Sequence, residues 1–163
     1  MKKLSLLAVA VLAVAAAPAM AATNPATANF NVTLTVQKAC TVGATDIAFG
    51  THDFTEAGPL NANSTITVKC TKGTAYTVAL NKGTNGASET ARVMKGATTT
   101  DTVAYTIANN SSGGTNWGTT AGTVGGTGNG ANQTLTAYGQ VLTSALNVTP
   151  DSYSDVVTVS VSY

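Results

Sequence analysis

Asp155-Val156-Val157-Thr158-Val159-Ser160-Val161-Ser162-Tyr163 closes the sequence, and its reading decides the fold. Val157, Val159, Val161 and Tyr163 fall on one face; Thr158, Ser160 and Ser162 fall on the other. A period of two marks a strand with one buried face. Val and Thr suit a strand because branching at Cβ restricts χ1 and packs well on a pleated surface.

The same alternation recurs upstream. It predicts strands at residues 64–70 through Ile66 and Val68, at 75–80 through Tyr76, Val78 and Leu80, and at 103–108 through Val103, Tyr105 and Ile107. It predicts another at 133–141 with Leu135, Ala137 and Gly139 on one face. Shorter extended pieces are expected at 41–42, 47–50 and, as an edge strand, 92–95. Lys72-Gly73 reads as a hairpin turn joining 64–70 to 75–80. Residues 109–132 are rich in Gly, Thr and Asn and read as a long surface loop, with Trp117 as the anchor that pins it to the body. No segment after the first 21 residues carries a helical stripe. Short strands separated by Gly, Asn and Pro turns indicate an all-β sandwich.

An Ig-type sandwich normally has one more strand after one placed like 155–163. The expectation is therefore an incomplete Ig-like β-sandwich lacking its last strand. Its groove would be lined by Val157, Val159, Val161 and Tyr163 together with core residues of the opposite sheet. Near the other end, Phe30-Asn31-Val32-Thr33-Leu34-Thr35-Val36 alternates as well. A missing strand at one end and a surplus one at the other is the logic of strand donation between copies, with Phe30, Val32, Leu34 and Val36 inserting into a neighbour's groove. The plainer alternative is that residues 30–36 complete their own sandwich.

The first residues read as an export signal. Lys2 and Lys3 precede an apolar run at 4–17, and Ala19 and Ala21 form an A-x-A cleavage site, predicting a cleaved peptide at 1–21. The expected organisation is then a donor segment at 22–36 and one sandwich domain at 37–163. Without Lys2 and Lys3, six of the eight basic residues remain against seven acidic ones, a net charge of −1. With no basic stripe, nucleic acid is not an expected partner. Only 9% of the chain is charged, so little charge repulsion opposes self-association.

Cys40 and Cys70 are the two cysteines. Export and an even count argue for one disulfide, closing a loop of about 30 residues worth roughly 3–4 kcal/mol in the chain-entropy model. Two free thiols or half a metal site are the alternatives, and the single histidine makes a metal site a poor reading. A disulfide would place the junction between donor segment and domain before Cys40. His52, with Asp53 and Glu56 nearby, reads as a solvated loop histidine rather than part of a catalytic constellation. No catalytic residue, cofactor or metal ligand is expected, and the chain does not read as an enzyme.

In this order the residues resemble the spore coat U domain family, which includes major subunits of archaic chaperone–usher pili. The matching pieces are the alternating residues 30–36, Cys40-Thr41-Val42, Phe49-Gly50, Thr67-Val68-Lys69-Cys70-Thr71 and Tyr76-Thr77-Val78-Ala79-Leu80. They continue with Arg92-Val93-Met94, Tyr105, Trp117-Gly118, Tyr138-Gly139 and Pro150-Asp151-Ser152-Tyr153-Ser154-Asp155 before the terminal strand. The family usually has Gly where Asp151 stands, and Asp is a tolerable turn residue. The resemblance implies a periplasmic chaperone, an outer-membrane usher, and a surface fibre in which each N-terminal segment fills the next subunit's groove, supporting adhesion or biofilm formation. The competing reading is a secreted carbohydrate- or surface-binding module that uses the loop around Trp117.

Overall fold

A computed structural model describes residues 25–163, so the export signal and its cleavage site lie outside the described residues. The chain divides between Leu34 and Thr35. Before the division, residues 25–34 form no strand, and their side chains are exposed.

After the division the chain is all-β apart from one 3-10 turn at Thr143–Ala145. The strands are β1 (Cys40–Ala44), β2 (Leu60–Cys70), β3 (Ala75–Leu80), β4 (Arg92–Gly96), β5 (Thr102–Ala108), β6 (Val124–Thr127), β7 (Gln133–Val141), β8 (Tyr153–Ser154) and β9 (Val159–Ser162). They form a six-stranded sheet in the order β1-β2-β7-β5-β4-β8 and a three-stranded sheet in the order β6-β3-β9. All pairs are antiparallel. Alternate residues of each long strand turn inward, as the pleat requires. Ile66 and Val68 of β2, Val103, Tyr105 and Ile107 of β5, and Ala137 and Val141 of β7 meet Tyr76, Val78 and Leu80 of β3.

Cys40 and Cys70 face each other across β1 and β2 and are joined as a disulfide, with their Cα atoms 4.1 Å apart. Trp117 anchors the following loop between the sheets and is 0% exposed. Its Nε1–H donates to the Val78 carbonyl at 3.0 Å, and its backbone N–H donates to Ile107 at 2.8 Å.

Five expectations need correction. Residues 47–50 form no strand. Thr45 is the last residue tied to β2, through its N–H to Thr65 at 3.1 Å and the Ser64 hydroxyl on its own carbonyl. Beyond it Ile47 and Phe49 still face inward, so the alternation reports a buried face but not a ladder. Lys72-Gly73 is not a hairpin turn, because both edges of β2 are taken by β1 and β7. Gly73, at φ +80°, instead carries the chain over to the other sheet.

The loop at 109–132 contains β6, paired with β3. Gly125 and Gly126 hide it from a pattern search, yet glycine is what the position needs: a Cβ on Gly126 would lie 2.5 Å from the Tyr76 ring. Nor are residues 155–163 one strand. β8 pairs with β4 in the larger sheet and β9 with β3 in the smaller. Residues 155–158 make the crossing, held by Asn81 N–H to Thr158 and Thr84 N–H to Val156, both 3.1 Å. The predicted edge strand at 92–95 is β4, and it lies one position inside the edge, covered by the two residues of β8.

Candidate functional site

Two adjoining cavities lie along the inner face of the larger sheet, and the first also reaches β9 of the smaller one. The first, of about 550 Å³, has Ile66, Ile107 and Ala137 of the larger sheet at its base, with Val157 and Val159 along one side. The second, of about 670 Å³, is lined by Leu60, Val103, Val141, Leu146 and Val148. Ile47, Ala48, Phe49, Met94 and Tyr153 belong to both, making one long apolar groove. One wall is built from residues 46–54, part of a segment at 46–59 that has no strand partner. Gly139 lets that wall approach: a Cβ there would come within 2.9 Å of Ile47 and 3.0 Å of Phe49.

Along the groove, β9 pairs with β3 alone among the described strands. Val156 and Thr158 give their carbonyls to the β3 side. Backbone groups alternate sides along an extended chain, so Val157, Val159 and Val161 turn theirs to the open edge. Of the predicted groove residues, Val157 and Val159 line the cavity. Val161 is half-buried against the core rather than in the cavity lining, and Tyr163 is 51% exposed and outside it. Strand alternation assigned all four to one face, but only the first part of that face, at Val157 and Val159, lies along the groove.

Phe30, Val32 and Leu34 are 86, 86 and 87% exposed, and Val36 is 72% exposed. Fixed contacts begin at Gln37, whose carbonyl accepts from the Thr71 hydroxyl at 3.3 Å. Ala39 follows, donating its N–H to the Thr71 hydroxyl oxygen at 3.1 Å.

Sequence reasoning gave no hydrogen-bonding role to the polar residues in and around the groove. Tyr105, in the lining of the first cavity, donates its hydroxyl to Asp155 Oδ2 at 2.6 Å. Burial, and then that hydrogen bond, push the phenol well above its ordinary range, so it stays neutral. The other Asp155 oxygen accepts the Thr84 and Asn85 N–H groups at 2.9 and 3.1 Å. Arg92 is 0% exposed and has only oxygen dipoles for partners: the carbonyls of Leu80, Asn81 and Trp117, and Asn116 Oδ1. Desolvation lowers its pKa, although a guanidinium stays charged. An Arg at the head of a short strand carries no sequence signal of burial.

At the far end, Asp151 takes the place of the family's usual glycine without a left-handed backbone, since no described residue other than glycine has positive φ. Its carboxylate accepts the N–H groups of Thr98, Thr99 and Ser152 at 2.7, 3.0 and 2.8 Å. The Thr98 amide is the main cause of a pKa held down to about 2. Asp101 is lowered likewise by the Thr149 hydroxyl and amide, at 2.6 and 2.9 Å. Such carboxylates stabilise the fold above their unfolded pKa, and that contribution is lost as pH falls through the folded one. Thermal stability is expected to drop between about pH 4 and pH 2. Asp151→Asn should flatten that drop; melts of equal slope in both proteins would show that the carboxylate is not responsible.

The Spore Coat Protein U domain matches residues 26–160. Among solved structures, the chain is similar to one described as the CsuC-CsuE chaperone-tip adhesion subunit pre-assembly complex from archaic chaperone-usher Csu pili of Acinetobacter baumannii. The TM-score is 0.60 and the identity 24%, over 79% of this chain and 41% of that one. This chain thus spans less than half the length of the matched one, and the likeness is one of fold. No curated protein matches it.

Proposed function

The chain belongs to the Spore Coat Protein U domain family, and from that premise we propose that it is a structural, non-catalytic subunit of an extracellular pilus-like fibre. Each copy donates Phe30, Val32, Leu34 and Val36 to the groove of the next. The route runs through the periplasm with a chaperone and an outer-membrane usher, and the fibre serves adhesion or biofilm formation. The observation that carries the reading is the long apolar groove beside the open edge of β9. An extended strand placed there gains main-chain hydrogen bonds along the edge and pockets for alternate side chains. Four large apolar residues are worth roughly 6–12 kcal/mol in burial before ordering costs. The neighbouring structure, a chaperone held to a pilus subunit, supports the assembly route. The alternative of a carbohydrate-binding module loses its stacking surface, because Trp117 is wholly buried.

The test is self-complementation. A copy of residues 26–36 is appended after Tyr163 through a short flexible linker. The expected product is a monomer that melts well above the unmodified chain, which itself should run as a ladder when unheated. An appended copy that leaves both laddering and melting temperature unchanged would rule out donation.

A further inference from the structure

We propose that residues 46–59 are a strap along the groove, latched by protonated His52, and that loss of the latch weakens the hold on an inserted strand. The second clause rests on the strand-donation reading; the latch itself does not. The strap is tied at Thr45 and resumes pairing at Leu60, with no ladder between. It nevertheless supplies Ile47 and Phe49 to both cavities. What holds its middle is His52: Nε2 lies 2.7 Å from the Phe49 carbonyl oxygen and Nδ1 lies 2.7 Å from Glu56 Oε1. Both partners are acceptors. A neutral imidazole has one N–H and one lone pair, so either tautomer would turn its lone pair on an oxygen. Only the imidazolium satisfies both contacts. The His52–Glu56 contact is the single ion pair among the described residues.

The ionisable groups around His52 are Glu56 and Asp53 on the strap, and Asp151 and Tyr153 across the same cavity. The Glu56 hydrogen bond first, and the Phe49 carbonyl second, raise the imidazole above its ordinary value. The sign follows: the latch is closed below that raised value and opens as pH rises through it. A neutral ring keeps only one of its two bonds, so opening uncouples Glu56 from Phe49 and loosens the span whose first residue walls both cavities. An incoming strand must then order the strap as well as itself, which weakens binding.

Three measurements on the full mature chain test this. Ring NMR follows His52 through pH 5–9 in the wild type and in Glu56→Gln. Hydrogen exchange of residues 46–58, corrected for intrinsic rates, is followed across the same range. Binding of a labelled peptide copying residues 26–36 is measured at each pH. The expected result is His52 titration above its ordinary value, lowered in the variant. Strap exchange should rise several-fold, and peptide affinity fall several-fold, across each protein's own transition. Exchange that ignores the state of His52, or titration at the ordinary value in both proteins, overturns the latch even when the peptide binds. Constant peptide affinity through a normal strap transition overturns the coupling. A peptide that binds at no pH while the strap responds overturns strand donation and leaves the latch supported.

Discussion

Leu34→Asp is expected to abolish long fibres. Leu34 is fully presented in the lone chain, and in the proposed assembly it enters a groove lined by Ile66, Ile107 and Val159. The substitution removes about 2 kcal/mol of side-chain burial and adds at least about 2 kcal/mol for placing a carboxylate among apolar walls. Together these lower the association constant by roughly a thousandfold. Thr33→Asp is the control, because Thr33 points to the opposite face of an extended segment. Its fibres should keep their length. Laddering of unheated material and fibre lengths in electron micrographs read both variants. Unchanged lengths in Leu34→Asp, or equal damage from Thr33→Asp, would mean that the alternating face is not what is inserted.

Arg92→Met is expected to cost about 3–5 kcal/mol of folding stability, a fall of roughly 10–15 °C in melting temperature. The guanidinium joins the end of β3, through Leu80 and Asn81, to the Trp117 loop, with its shortest contacts 2.7 Å long. Methionine fills much of the volume but donates nothing. The carbonyls of Asn81 and Trp117 would then lose a buried donor, at about 1–3 kcal/mol each. Arg92→Lys keeps the charge but cannot reproduce the planar fork, and should recover only part of the loss. A change below about 1 kcal/mol in thermal or denaturant melts would show that water or a shifted side chain takes over these carbonyls.

The strands that were legible in the sequence are those with one face in the core. β3 and β5 carry Val, Ile, Leu or Tyr at every second position, and β2 and β7 do so over part of their length, through Ile66 and Val68 and through Leu135 and Val141; the pleat makes that spacing diagnostic. Where apolar residues give way to glycine, as in β6, the ladder remains but the signal vanishes. The converse holds at residues 47–50, where Ile47 and Phe49 keep the spacing without any strand partner. The groove was legible in part. Val157 and Val159 follow from alternation, whereas Leu60, Leu146 and Val148 are named only by the way the second cavity lies over them.

Local chemistry along the chain sufficed for the all-β class, the inward faces, the burial of Trp117 as an anchor and the presence of an alternating segment at 30–36. Each depends on side-chain spacing or size, and neighbours in sequence settle these. Sheet membership, the crossing at residues 155–158, the open edge of β9 and the burial of Arg92 depend on which distant backbone groups find one another. Hydrogen-bonded pairing between strands is non-local, so only the folded chain could decide them.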